Sequence, residues 1–212
     1  MPFRRETHAA SFFSHESFRK SEDRPGKIAL AMDACIREKG YAATSLTDIA
    51  IKARMSPSHI RYHFENREQI LEFYLAAICE QIVSDIESIP RKTPARWIKD
   101  FTAYFIANPD LNRSTVVLMV EIFAVSAHNP KLMKIKTRYD SFICKTFTDF
   151  FEWAGTAPGV KPADAAYRLW VPEGGMKFNA MFQQDFSKDR AGAIFEGELL
   201  RLAGMPAKRK IA

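Results

Sequence analysis

Two helix-start signals stand close together near the front of the chain: Ser45 with Asp48 three residues on, and Ser56 followed at once by Pro57. A serine just ahead of a helix accepts a hydrogen bond from an amide that has no intrahelical partner, and an acidic residue three places later completes a capping box. Proline suits the first helical position, where its missing N–H leaves no acceptor unpaired. Starts this close force two short helices, about 46–53 and 57–63, across a tight turn. The apolar residues agree. Leu46, Ile49, Ala50 and Ala53 form one stripe, and Ile60 and Phe64 lie four apart on another. Tyr62 then points away from the second stripe, flanked by Ser58 and His59, with Arg61 at the margin. An ordinary solvated face would carry Glu and Lys instead.

The flanking sequence supplies support for this pair. From Lys27 onward Ile28, Leu30, Ala31, Ala34, Cys35 and Ile36 recur at helical spacing, and Gly40 stops the helix. Residues 67 to about 89 read as a long apolar helix ending before Pro90. Further helices are expected at 94–107, 113–127, 130–154, 162–184 and 188–203, punctuated by proline or glycine. No stretch alternates with a period of two and no internal repeat is evident. The expected fold class is all-α. Residues 1–24 read as a flexible arm carrying Arg4, Arg5, Arg19, Lys20 and Arg24, and residues 206–212 as a basic tail.

Composition narrows the function classes. Hydrophobic residues make up 47% of the chain, with 17 Phe, enough for a buried core. Cys35, Cys79 and Cys144 are far apart and odd in number, which fits buried thiols in a reducing cytoplasm. No ligand cluster accompanies them, so no metal or cofactor is expected. No 18-residue apolar run exists, so no membrane partner is expected and the localisation reads as cytoplasmic. Residues 1–68 hold 12 Lys/Arg against 9 Asp/Glu, residues 69–207 hold 16 of each, and Lys208–Lys210 add three cations. A basic front on a neutral body is compatible with a DNA-binding head. An enzyme is not indicated: there are no Glu-x-x-His pairs of the di-iron bundles, no phosphate-binding glycine loop and no nucleophile–base pair in sequence context.

Two short helices propped by a preceding one make a helix-turn-helix, whose second helix enters the major groove of double-stranded DNA. At this point the run from Leu30 to Leu75 resembles the N-terminal domain of TetR-family transcriptional regulators. The matching residues are Lys39-Gly40-Tyr41, Ala43-Thr44-Ser45, Asp48-Ile49-Ala50, Ala53, Met55-Ser56, Tyr62-His63-Phe64 and Arg67-Glu68. The resemblance implies a three-helix DNA-binding domain at 25–70 and a helical effector-binding and dimerisation domain at 71–205. It implies that Thr44, Ser45 and Thr47 sit near the DNA backbone or an outer base. Ser56, Pro57, Ser58 and His59 lead the reading helix, the last three as candidates for base readout. Tyr62, His63, Arg61 and Arg67 are expected on phosphates, His63 having a packing role as its alternative. The chain departs from the family in carrying Arg54 where the turn usually has glycine. A left-handed backbone there would cost an arginine about 1 kcal/mol or more, so a slightly different turn is expected.

For the second domain, the resemblance implies an effector cavity among the middle helices. Phe101, Tyr104, Phe105, Met119, Phe123, Phe147, Phe151 and Trp170 are the expected lining, with Glu121, Tyr104 or Arg138 as polar anchors for a small apolar or aromatic effector. Ordinary core packing is the competing reading of each. Homodimerisation is expected through the last two long helices, with Trp170, Val171, Met181, Phe182, Ile194, Phe195 and Leu199 as apolar contacts, and with Pro172 and Gly174-Gly175 kinking or weakening the first of them. The leading expectation is a repressor released from its operator by an effector. The alternative is a constitutive or architectural DNA-binding dimer without one.

Overall fold

A computed structural model describes residues 23–108, 112–183 and 185–206. The expected basic tail beyond Pro206, the arm before Asp23 and the side chain of Met181 lie outside the described residues. Among the described residues the chain is all helix and turn, in the order α1 (Arg24–Lys39), α2 (Leu46–Ala53), α3 (Pro57–His63), α4 (Arg67–Glu87), α5 (Pro94–Phe105), α6 (Arg113–Ser126), α7 (Pro130–Ala154), α8 (Pro162–Phe182) and α9 (Lys188–Leu202).

Helix α1 begins three residues earlier than its apolar pattern indicates. Asp23 caps it by accepting the Gly26 N–H at 2.9 Å, and Pro25 occupies the first turn. It ends at Gly40, where φ is 82° and the N–H returns to the Ile36 carbonyl. That backbone region is one a glycine enters without penalty. Ile28, Met32, Cys35 and Ile36 of α1 pack with Ile49 of α2, Ile60 of α3, and Ile70, Leu71 and Tyr74 of α4 to form the head's core. Helix α4 runs unbroken across the expected domain boundary at 70/71, and its later residues Ile78, Ile82 and Ile86 join the body's core.

The body is built around a stack of aromatic rings. Trp97 lies parallel to both Phe101 and Phe150 at 4.7 Å, and Phe147 closes on Phe101 edge-on at 5.4 Å. Phe195 joins from α9 at 6.1 Å from Phe147. Pairs of this kind contribute about 0.5–1.5 kcal/mol beyond the area they bury. Phe101, Phe105, Phe147 and Phe151 are therefore filled against their neighbours, with no more than 1% of their surface exposed. None of the four lines the cavities described below. Helix α8 continues through Pro172 to Phe182. The proline has no N–H to give the Arg168 carbonyl, yet packing of α8 against α6, α7 and α9 carries the helix on.

Candidate nucleic-acid interface

The reading head is locked by local chemistry. Ser45 accepts the Asp48 N–H while Asp48 accepts the Ser45 N–H at 2.8 Å, so the expected capping box closes. Asp48 also pairs with Lys39 at 2.7 Å, which ties the end of α1 to the start of α2. Hydrogen bonds from Lys39 and Ser45 hold its carboxyl well below the usual carboxylate range. Between α2 and α3, Arg54 takes φ 56° and ψ 45°, a left-handed conformation. Its N–H bonds the Ile51 carbonyl, and the Met55 N–H bonds that of Ala50 at 3.0 Å. The turn that a glycine would make is thus kept with an arginine, contrary to the expected deviation. Ser56 then caps α3 through the His59 N–H, and its hydroxyl lies 2.9 Å from that of Ser58.

The outward face of α3 carries Pro57, Ser58, Arg61 and Tyr62, all exposed, with Tyr62 at 83%. Ser45, Thr47 and Ser56 are exposed beside it. His59 is half-buried and hydrogen-bonded through Nε2 to Arg24, which brings a cation from the start of α1 to this surface. Sequence reasoning left Arg24 in the arm; its signal was the Asp23 cap followed by Pro25. His63 turns inward, its ring 5.5 Å from that of His59 and its buried Nε2 without a hydrogen-bond partner among the described residues.

Two residues expected on DNA have partners within the scaffold. Thr44 is fully buried, and its hydroxyl donates to the Gly40 carbonyl at 2.8 Å, satisfying a group that the end of α1 leaves open. Arg67 donates to the carbonyls of Tyr41, Ala42 and Thr44 at 3.1, 3.4 and 2.7 Å, pairs with Glu68, and lies over the Tyr41 ring at 4.5 Å. A guanidinium committed to three loop carbonyls braces the α1–α2 connection, which is a use that its planar fork suits.

Helix α6 joins head to body. Arg37 of α1 donates to Ser114 and Thr115 at 3.1 and 3.2 Å while bonding Asp33, which also accepts the Tyr74 hydroxyl at 2.5 Å. The Tyr41 N–H donates to Glu121 at 2.5 Å, and a Cβ placed on Gly40 would stand 3.2 Å from the same carboxylate. Glu121 is accordingly a contact between the two parts of the molecule, and it lies outside the lining of the cavity described next. Tyr104 is likewise engaged elsewhere, donating its hydroxyl to Asp85 at 2.9 Å.

A cavity of about 300 Å³ lies between α6, α7 and α8. Of the expected lining it contains Met119, Phe123 and Trp170, joined by Lys136, Tyr139, Asp140 and Glu173, which periodicity did not single out. Arg138 lines a separate cavity of about 420 Å³ beside Cys79, between α4 and α7. Beyond the first cavity, α8 and α9 expose an apolar strip: Tyr167, Val171, Phe178, Phe182 and Ile194 are each about half exposed or more. Phe195 and Leu199, expected on this strip, are at most 1% exposed and pack in the chain's own core.

A capped helix pair with a solvent-facing second helix, carried on a helical body, is a helix-turn-helix arrangement. Residues 31–73 match the family model described as "Bacterial regulatory proteins, tetR family". No curated protein matches the chain. The fold is similar to a transcriptional regulator from Rhodococcus sp. Rha1 at 18% identity and TM-score 0.71, covering 84% of this chain and 96% of that one. It is similar to a TetR transcription regulator from Haloarcula marismortui at 17% identity and TM-score 0.74, with coverage of 84% and 96%. A third similar structure, a putative transcriptional regulator from Saccharomonospora viridis in complex with choline, has 19% identity and TM-score 0.65, with coverage of 81% and 92%. Residues 31–73 are thus similar to the bacterial regulatory proteins of the tetR family, and the chain shares the fold of these solved structures.

Proposed function

We propose that the chain acts as a homodimer that reads a near-palindromic operator with α3 and represses until a small molecule enters the α6–α7–α8 cavity. The observation that carries this reading is the double service of α6. Thr115 and Glu121 hold the head, while Val116, Met119, Val120 and Phe123 of the same helix wall the cavity. A ligand that prefers one position of α6 therefore biases the head as well, which is what a switch requires.

In this reading Ser58 and His59 meet base edges, and Arg61 and Tyr62, both exposed, meet phosphates, Arg61 through its charge and Tyr62 through its hydroxyl. The exposed strip of Val171, Phe178, Phe182 and Ile194 is the surface a second copy would cover. The cavity favours a ligand-responsive regulator over a constitutive binder, and the Saccharomonospora viridis neighbour was crystallised with a small molecule. Selection of bound duplexes from a random pool, with light scattering on the same preparation, tests the reading. A dimer and a near-palindrome with half-sites about one helical turn of DNA apart, or a multiple of it, are expected. A monomer, or no enriched sequence, would overturn it.

A further inference from the structure

The cavity between α6, α7 and α8 has an occupant of its own. The Lys136 ammonium lies 4.5 Å from the centre of the Phe123 ring and 5.9 Å from that of Trp170. Both rings line the cavity, so its wall already presents two aromatic faces to a positive charge. Asp140 receives Lys136 through both carboxylate oxygens, at 2.5 and 2.6 Å. Glu173, only 4% exposed, adds a second carboxylate. Burial first, and then the charge of Glu173, raises the Tyr139 hydroxyl well above its usual value, so it stays neutral. Among the described side chains the lining thus holds one cation, two carboxylates, and otherwise apolar or aromatic surface.

These charges decide between ligand classes. A carboxylate reaching for Lys136 would have to displace Asp140 and add a negative charge beside Glu173. An organic cation that takes the place of the lysine ammonium keeps Asp140 paired and meets the same two ring faces, while the lysine, whose side chain is already 23% exposed, swings toward solvent. Val116, Met119, Val120 and Phe178 would cover an apolar body attached to the charge.

We infer that this cavity binds an organic ammonium ion on an apolar or aromatic body, its charge resting on Phe123 and Trp170 where the Lys136 ammonium now lies. As a statement about the effector this rests on the proposed function; as a statement about binding it does not.

The test titrates the full chain, free of DNA, with phenethyltrimethylammonium, 3-phenylpropanol and 3-phenylpropanoate by calorimetry. The cation is expected to bind roughly tenfold tighter than the alcohol, the equivalent of one desolvated cation–π contact, with the carboxylate weakest. Lys136→Met is the decisive variant, because removing the resident cation should tighten binding of the ammonium ion. Trp170→Leu, or Phe123→Leu if the first does not fold, should weaken it. Equal or tighter binding of the carboxylate, weaker cation binding in Lys136→Met, or no measurable binding of any probe would overturn the inference. Adding operator DNA separates the two readings. An ammonium ion that binds without releasing DNA upholds the inference and defeats the effector role, whereas release by the alcohol or carboxylate alone upholds that role and defeats the inference.

Discussion

Glu121 of α6 accepts the backbone N–H of Tyr41 at 2.5 Å, so a helix that walls the cavity also holds the loop at the base of the reading head. Tyr41 is 7% exposed, and water cannot readily replace that acceptor. In Glu121→Ala the stranded amide should cost about 1–3 kcal/mol. The loss should appear as faster hydrogen exchange at Tyr41 and in α2, and as a weaker response of DNA affinity to ligand. Glu121→Gln keeps an acceptor oxygen and should restore most of both. Unchanged exchange in Glu121→Ala would remove this contact from the coupling route.

Arg61 and Arg67 were grouped by sequence, and the structure separates them. Arg61 is exposed on α3, whereas Arg67 serves three carbonyls of the α1–α2 loop. Arg61→Ala should weaken binding to all duplexes alike and lower the salt slope by about 1, with the melting temperature unchanged. Arg67→Ala should destabilise the protein by roughly 1–3 kcal/mol and leave the salt slope alone. Melting curves and salt titrations of the two variants check this. Identical behaviour would mean that Arg67 also reaches DNA.

Arg54 holds a left-handed conformation that a glycine would take without strain. Arg54→Gly should relieve about 1 kcal/mol of strain and give back part of it through a freer unfolded chain. The net expectation is a small gain in stability. Arg54→Val should be destabilising by more than about 1 kcal/mol, because a branched Cβ fits that region worst. Chemical denaturation of the three proteins provides the comparison. A drop in DNA affinity for Arg54→Gly without a drop in stability would show the guanidinium on a phosphate.

Burial, followed by the charge of Glu68, pushes the Tyr41 hydroxyl up from 10.0 to about 12. A group that ionises later in the folded chain stabilises it fully below the unfolded pKa, and that contribution is lost as pH rises through the folded one. Stability should therefore fall between about pH 10 and pH 12. Burial also raises Tyr74, Tyr104 and Tyr139, so Tyr41→Phe should flatten the decline only in part. Melting temperatures at pH 9 and pH 11 for both proteins supply the test. An equal decline in the two would refute the assignment.

What could be read from the residues was chiefly local. Ser45 with Asp48, Ser56 with Pro57, and Gly40 act within one or two turns of themselves, and each terminates or starts a helix as its chemistry requires. The start of α1 was missed because the Pro25-Gly26 pair resembles a linker until Asp23 is seen to cap it. Thr44 and Arg67 could not be placed because their partners are main-chain carbonyls, which have no signature in side-chain identity. The aromatic residues posed a different limit. Phe101 and Phe123 look alike in sequence, yet one is stacked in the core and the other walls the cavity. Likewise Ile194 faces out while Phe195 faces in, and only the packing of α9 on α5 sets that phase.

Fluorescence anisotropy of a selected operator against a random duplex, at about 150 mM salt, tests the central claim most directly when run beside Arg61→Ala/Tyr62→Ala. Both side chains are exposed on α3, Tyr62 to 83%, so the variant should fold unchanged by circular dichroism. The unaltered chain is predicted to bind the operator at least about a thousandfold tighter than the random duplex, and the folded variant to lose that preference. Equal affinity for both duplexes, or a variant that discriminates as well as the parent, would contradict α3 as the reading surface.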